Sequence, residues 1–195
     1  MRAHEPLEDG QTPLDPDEAD GLIPRWVATR GDLDQVESTN IDRSYAWAAM
    51  ALRRREQVAS DAFLRGLHHA MFGQVWQWAG RYRLTERNIG IAPHDICMQL
   101  RQLFDDTAAW REYRSYALAE QAYRLHHRLT WIHPFPNGNG RCARLMADHY
   151  LVQHGGTPFT WGRTLHAGDV RRRYLQAIRA ADAGDYAPLA DFVGR

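Results

Sequence analysis

An imidazole, two glycines in a turn and two guanidiniums crowd into one short stretch, His133–Arg144, which reads HPFPNGNGRCAR. Gly138 and Gly140 reach backbone angles that other residues avoid. From about Asn139 the pattern becomes helical, and the first N–H groups of a helix have no carbonyl partner within it. A glycine turn that opens a helix therefore aims several donors at one spot, at the positive end of the helix dipole, and suits a phosphate. Arg141 and Arg144 stand three apart on the first turn, so both guanidiniums can lean over the same anion. His133 lies just ahead of the turn, where an imidazole can take a proton from an incoming hydroxyl. Anion cradle, paired arginines and a base together suit phosphoryl or nucleotidyl transfer.

These groups need a scaffold on both sides. Leu118, Ala122, Leu125, Leu129 and Ile132 recur at helical spacing, so a core-facing helix runs into His133. Pro134 and Pro136 stop it, because proline lacks the N–H and restricts the residue before it. After the turn, Leu145, Met146, His149 and Val152 continue a helix to about His154, and Gly155-Gly156 ends it. Further helices are expected over 33–55, 61–72, 95–110, 169–180 and 184–193. Thr29–Asp32 offers N-caps for the first. Val75–Arg81, with two tryptophans beside Gly80, reads as a buried corner. In Tyr82–His94, Tyr82/Leu84 and Ile89/Ile91 alternate with polar residues between turn formers, which predicts a small β-hairpin. About seven helices and one hairpin make an all-α domain.

Composition sets the outer limits. The chain has 195 residues, a formal net charge of zero and 44% hydrophobic residues, as expected of one globular domain. Nothing in the global charge favours nucleic acid or an anionic membrane as partner. All 24 basic residues are arginine, which excludes a P-loop or Schiff-base lysine. Cys97 and Cys142 fit no metal spacing and read as free thiols in a reducing cytoplasm. Residues 1–20 are acidic and proline-bearing and read as an extended, partly disordered arm rather than a signal peptide. Residues 21–195 form the domain, and Gly21–Trp26 is a short apolar anchor to it.

The stretch around His133 resembles the signature of the Fic (Fic/Doc) family, His-x-Phe-x-Asp/Glu-Gly-Asn-Gly-Arg-x-x-Arg. His133, Phe135, Gly138, Asn139, Gly140, Arg141 and Arg144 match, and Asn137 stands where the family has a carboxylate. From Gln11 to Val193 the chain also resembles the subgroup called mobile mystery protein B. The resemblance implies a Fic-type helical bundle and AMPylation. His133 would deprotonate a Ser, Thr or Tyr hydroxyl of a target protein, which would attack the α-phosphate of ATP. Gly138, Asn139, Gly140 and Arg141 would hold the transferred phosphate, and Arg144 the terminal one. A Mg²⁺ would sit at position 137, where an amide oxygen gives a weaker site than a carboxylate. Arg87, Asn88, Ile89 and Gly90 would form the flap that clamps the target's backbone by strand addition. Many Fic proteins are inhibited by a glutamate that pairs with the second arginine; Glu37 is the nearest candidate, and a separate antitoxin chain is the other route. A homo-oligomer is a further option.

Three alternatives compete. The first two are a transferase that uses another nucleotide donor and a nucleotide-binding module that Asn137 leaves without full catalysis. A His-Asp metal phosphohydrolase would use His68, His94-Asp95 and Asp148, but it leaves the glycine turn and both arginines unexplained.

Overall fold

The computed structural model describes residues 20–194; apart from Asp20, the acidic arm lies outside the described residues. Among the described residues seven α-helices follow in order: α1 Arg30–Arg53, α2 Asp61–Phe72, α3 Ile96–Glu112, α4 Leu118–Ile132, α5 Asn139–Gln153, α6 Ala167–Asp182 and α7 Ala187–Val193. A 3-10 turn, Pro93–Asp95, leads into α3. The expected helix count and all-α class hold.

The helix starts follow local chemistry. Thr29 Oγ1 accepts from the Asp32 N–H at 3.1 Å and Asp32 Oδ2 accepts from the Thr29 N–H at 2.9 Å, a reciprocal capping box. Ser60 Oγ accepts from the Phe63 N–H at 3.2 Å to open α2.

The helices α4 and α5 pack on each other along their length and form the centre. α3 flanks α4, α2 flanks α5, α1 lies over α2, and α6 with α7 closes the far side of α4. The main core joins Phe63, Leu67 and Met71 of α2, Leu100 and Leu103 of α3, Leu125 and Leu129 of α4 and Met146 of α5. A smaller cluster joins Ala177 and Ala181 to Leu189, Phe192 and Val193.

The segment before α1 docks as expected. Ile23 N–H donates to Val75 O at 2.8 Å, Gln77 N–H donates to Gly21 O at 2.9 Å, and Leu22 pairs with Trp76 in an isolated antiparallel bridge. The Val75–Arg81 corner is buried at Val75 and Trp76, and the indoles of Trp76 and Trp78 stack at 5.0 Å.

The hairpin is a correction. Tyr82–Ala92 forms an irregular loop with no strand ladder, so Arg87, Asn88, Ile89 and Gly90 do not stand on a sheet edge. Its backbone bonds run elsewhere: Arg83 N–H to Pro134 O at 2.9 Å and Ile91 N–H to Ile132 O at 3.4 Å. These backbone bonds pin the loop to the chain around His133.

Candidate active site

The site is the junction between α4 and α5. His133 caps α4 in the left-handed conformation, φ 54°, which ends the helix and turns the chain back. Gly138 opens α5 with φ 77°, and a Cβ there would come within 2.5 Å of the Phe72 ring, so only glycine fits. The first capping bond of α5 is Cys142 N–H to Gly138 O. Ahead of it, the backbone N–H groups of Asn139, Gly140 and Arg141 open the helix with no intrahelical acceptor, the expected anion cradle.

Three buried groups hold this junction. His68 of α2 accepts the Gly80 N–H on Nδ1 at 3.0 Å, so its Nε2 carries the proton and donates to Asn137 O at 3.0 Å. Its ring stacks on Phe135 at 3.7 Å. Burial pushes His68 down to about 3, and with both ring nitrogens hydrogen-bonded this neutral imidazole is a strut and not a ligand. Phe135 is buried beneath the turn.

The third group escaped sequence reasoning. Arg83 is 2% exposed, and its guanidinium donates to four backbone carbonyls. These are His133 O at 2.7 Å, Thr85 O at 2.9 Å, Ile132 O at 3.4 Å and Ile91 O. One side chain thus ties the loop of residues 82–92 to the backbone at His133. Of its neighbours in the loop, Tyr82 packs 5.4 Å from the Phe135 ring, whereas Leu84 is 90% exposed.

His133 Nδ1 lies 3.2 Å from Thr130 O, an oxygen that only accepts, so Nδ1 carries the hydrogen and Nε2 is the basic nitrogen. Burial pushes its pKa down to about 4, the Thr130 carbonyl pulls it back up, and the charges of Arg83 and Arg87 lower it further. The imidazole is neutral near pH 7 and able to accept a proton. Gly90 faces it: a Cβ on Gly90 would come within 2.5 Å of His133 Cβ. So the loop carrying Arg87–Gly90 does border the histidine, although without β structure.

Three expected roles change. The Asn139 side chain is buried and closed on Phe135, accepting its N–H and donating to its carbonyl, both at 2.8 Å. Only its backbone N–H is left for an anion. Asn137 Oδ1 accepts the Gly138 N–H at 2.6 Å, so this amide oxygen faces its own backbone. Glu37 pairs with the first arginine rather than the second: its Oε2 lies 2.7 Å from Arg141 Nη1. Glu37 is 4% exposed, and its other oxygen accepts the Trp76 indole N–H at 2.8 Å.

The Mg²⁺ site fits poorly. Asn137 supplies no charge and its oxygen is engaged, and Glu37 is paired with Arg141. Among the described residues no group of three His, Cys, Asp or Glu side chains could hold a metal. The phosphohydrolase set does not assemble: His68 bonds backbone, His94 and Asp95 pair on the surface at 3.7 Å, and Asp148 binds the Trp161 indole. No helix among the described residues is long and apolar enough to cross a membrane.

Comparison with known proteins converges on this junction. Residues 59–151, which include the whole cradle, match the Fic/DOC family. A probable protein adenylyltransferase, y4lH of Sinorhizobium fredii, is 30% identical over 181 residues, covering 87% of this chain and 86% of that one. A protein adenylyltransferase Fic of Nematostella vectensis is 28% identical over 175 residues, but this chain spans only 39% of its length. Among solved structures, residues 134–508 of Fic-1 from C. elegans superpose with a TM-score of 0.69 at 23% identity, covering 91% of this chain and 51% of that one. BepC of Bartonella tribocorum, solved with AMPPNP, superposes at 0.63 and 19% identity, covering 87% and 89%. The chain belongs to the Fic/DOC family, and its fold is the Fic helical fold.

Proposed function

We propose that the protein is an adenylyltransferase that moves AMP from ATP onto a Ser, Thr or Tyr hydroxyl of a target protein. The observation that carries this reading is a neutral His133, with Nε2 as its basic nitrogen, beside the open start of α5 and its two arginines. Nε2 takes the hydroxyl proton as the oxygen attacks the α-phosphorus. The bond to the β-phosphate oxygen breaks, and pyrophosphate leaves. The N–H groups of Asn139, Gly140 and Arg141 face the charge that grows on the transferred phosphate. Arg144 takes the terminal phosphate and so fixes which phosphorus meets the nucleophile. The adenylyltransferase names of the relatives support the choice of ATP and of a protein acceptor.

In the arrangement described, Glu37 sits where a phosphate would engage Arg141, and we assign it an inhibitory role. A carboxylate and a phosphate compete for the same guanidinium fork. This block is internal to the chain and needs no separate antitoxin.

The Asn137–Gly138 contact favours one second reading, a nucleotide-binding module with impaired transfer. Incubation with ATP labelled on the α-phosphate separates the two. Label should pass to the protein itself or to lysate proteins, most strongly with Glu37→Gly, and not with His133→Ala. Binding of ATP without transfer in every variant would favour the module, and transfer of a γ-label would overturn both. The same assay with GTP, CTP and UTP fixes the donor.

A further inference from the structure

The two arginines of α5 have different partners. Arg141 meets the Glu37 carboxylate, with its Cζ 4.9 Å from the centre of the Phe72 ring. Arg144 meets aromatic faces: its Cζ lies 4.4 Å from the centre of the Tyr174 ring and 5.8 Å from that of Trp161. His126 joins the two rings, with its own centre 4.7 Å from that of Trp161 and its Nε2 3.1 Å from the Tyr174 hydroxyl. That hydroxyl lies 4.0 Å from where a Cβ on Gly140 would stand, so the aromatic box borders the cradle.

An acid lies within reach on the same helix. Asp148 follows Arg144 by one turn, the i,i+4 spacing at which carboxylates and guanidiniums pair. Its carboxylate is taken up instead by the Trp161 indole N–H, 2.9 Å from Oδ2 and 3.1 Å from Oδ1, and by the Phe159 N–H at 3.0 Å. Trp161 reaches this place from a left-handed backbone, φ 53°, a conformation that bulky residues adopt only at a cost. The loop between α5 and α6 thus accepts strain to set an indole between Asp148 and Arg144.

We propose that Trp161 and Tyr174 are positioning residues for Arg144: the indole N–H occupies Asp148, and the ring faces hold the guanidinium oriented but not neutralised, ready for a nucleotide's terminal phosphate. The proposal rests on the transferase reading given above. An aromatic face attracts a cation without discharging it, whereas a carboxylate takes the bidentate donors that a phosphate needs. Arg163 is the other cation whose charge Asp148 feels. A freed Asp148 that turned to Arg163 would leave nucleotide binding untouched.

Calorimetric titration of ATP and AMP into the full chain tests this, with Glu37→Gly as parent so that Arg141 is open. Trp161→Phe keeps a ring face and removes only the N–H. It should weaken ATP binding about tenfold and leave AMP binding unchanged, and adding Asp148→Asn should restore ATP affinity to within about twofold of the parent. Equal ATP affinity in Trp161→Phe, or a loss that Asp148→Asn fails to rescue, overturns the proposal. If the parent binds no ATP at all, the transferase reading falls instead.

Discussion

His133 sits at a left-handed backbone angle that costs a non-glycine residue energy, and Arg83 donates to its carbonyl there. Removing the imidazole should cost the chemistry and not the fold: His133→Ala should lose roughly a hundredfold or more in transfer, with an unchanged melting temperature. The base works in its neutral form, and its pKa is pushed down to about 4. Activity should therefore fall as pH drops through about 4 rather than through the ordinary histidine range. A kcat/KM profile flat from about pH 5.5 to 7.5 is expected, and an acid limb near 6.5 would contradict the assignment. Arg83→Met strips four carbonyls of a donor and should destabilise the protein by about 2–4 kcal/mol, read by chemical denaturation. Nothing in the alternation of YRLT marked this arginine as buried. The signal was three-dimensional: carbonyls on either side of the left-handed turn meet the Arg83 guanidinium, while the apolar Leu84 faces solvent. At Asn137, restoring a carboxylate with Asn137→Asp should raise transfer at low Mg²⁺, and no gain would clear the amide of blame.

At the scale of elements, the contact between α1 and α5 decides whether the cradle is open. The inward face of α1 carries Leu33, Glu37, Asn40, Ser44, Ala48 and Ala51, all buried, while Tyr45 is half-exposed. Half of this face is polar, and Val36, Ile41 and Leu52 pack partly buried beside it. Asn40 and Ser44 satisfy themselves on the α1 backbone, at Val36 O and Ile41 O. Glu37 alone reaches across, to Trp76 and Arg141. Glu37→Gly should raise ATP turnover about tenfold or more, the factor that loss of roughly 1.4 kcal/mol of competition gives. Unchanged turnover would make Glu37 a purely structural partner of Trp76. By contrast α4 and α5 were legible in full, because an apolar stripe, two prolines and a glycine turn state their ends locally. The flap was not, because its bonds go to distant backbone rather than to a partner strand.

Across the whole molecule, buried neutral histidines link stability to pH. His68 and His126 are both pushed down to about 3 by burial, against an ordinary value of 6.5. Between those values the unfolded chain binds protons that the folded chain does not, so stability falls as pH drops below about 6.5. The loss approaches about 1.4 kcal/mol per pH unit for each histidine until their folded values are reached. Thermal melts should show a clear fall in Tm from pH 7 to pH 5, steeper than in a His126→Gln variant. Equal slopes would show that His126 is not buried neutral. His68, His126 and His127 are all buried. Only the fold distinguishes them: His68 braces the cradle, His126 joins the box around Arg144, and His127 bonds Asp182 at 2.9 Å on the far side.

Transfer requires a nucleotide lying along the start of α5. A crystal structure of the Glu37→Gly protein with a non-hydrolysable ATP analogue tests it most directly. The phosphates should accept hydrogen bonds from the backbone N–H groups of Asn139, Gly140 and Arg141, with the α-phosphorus facing His133 Nε2 and the terminal phosphate on Arg144. An empty junction at full analogue occupancy in solution, or phosphates bound elsewhere on the protein, would contradict it.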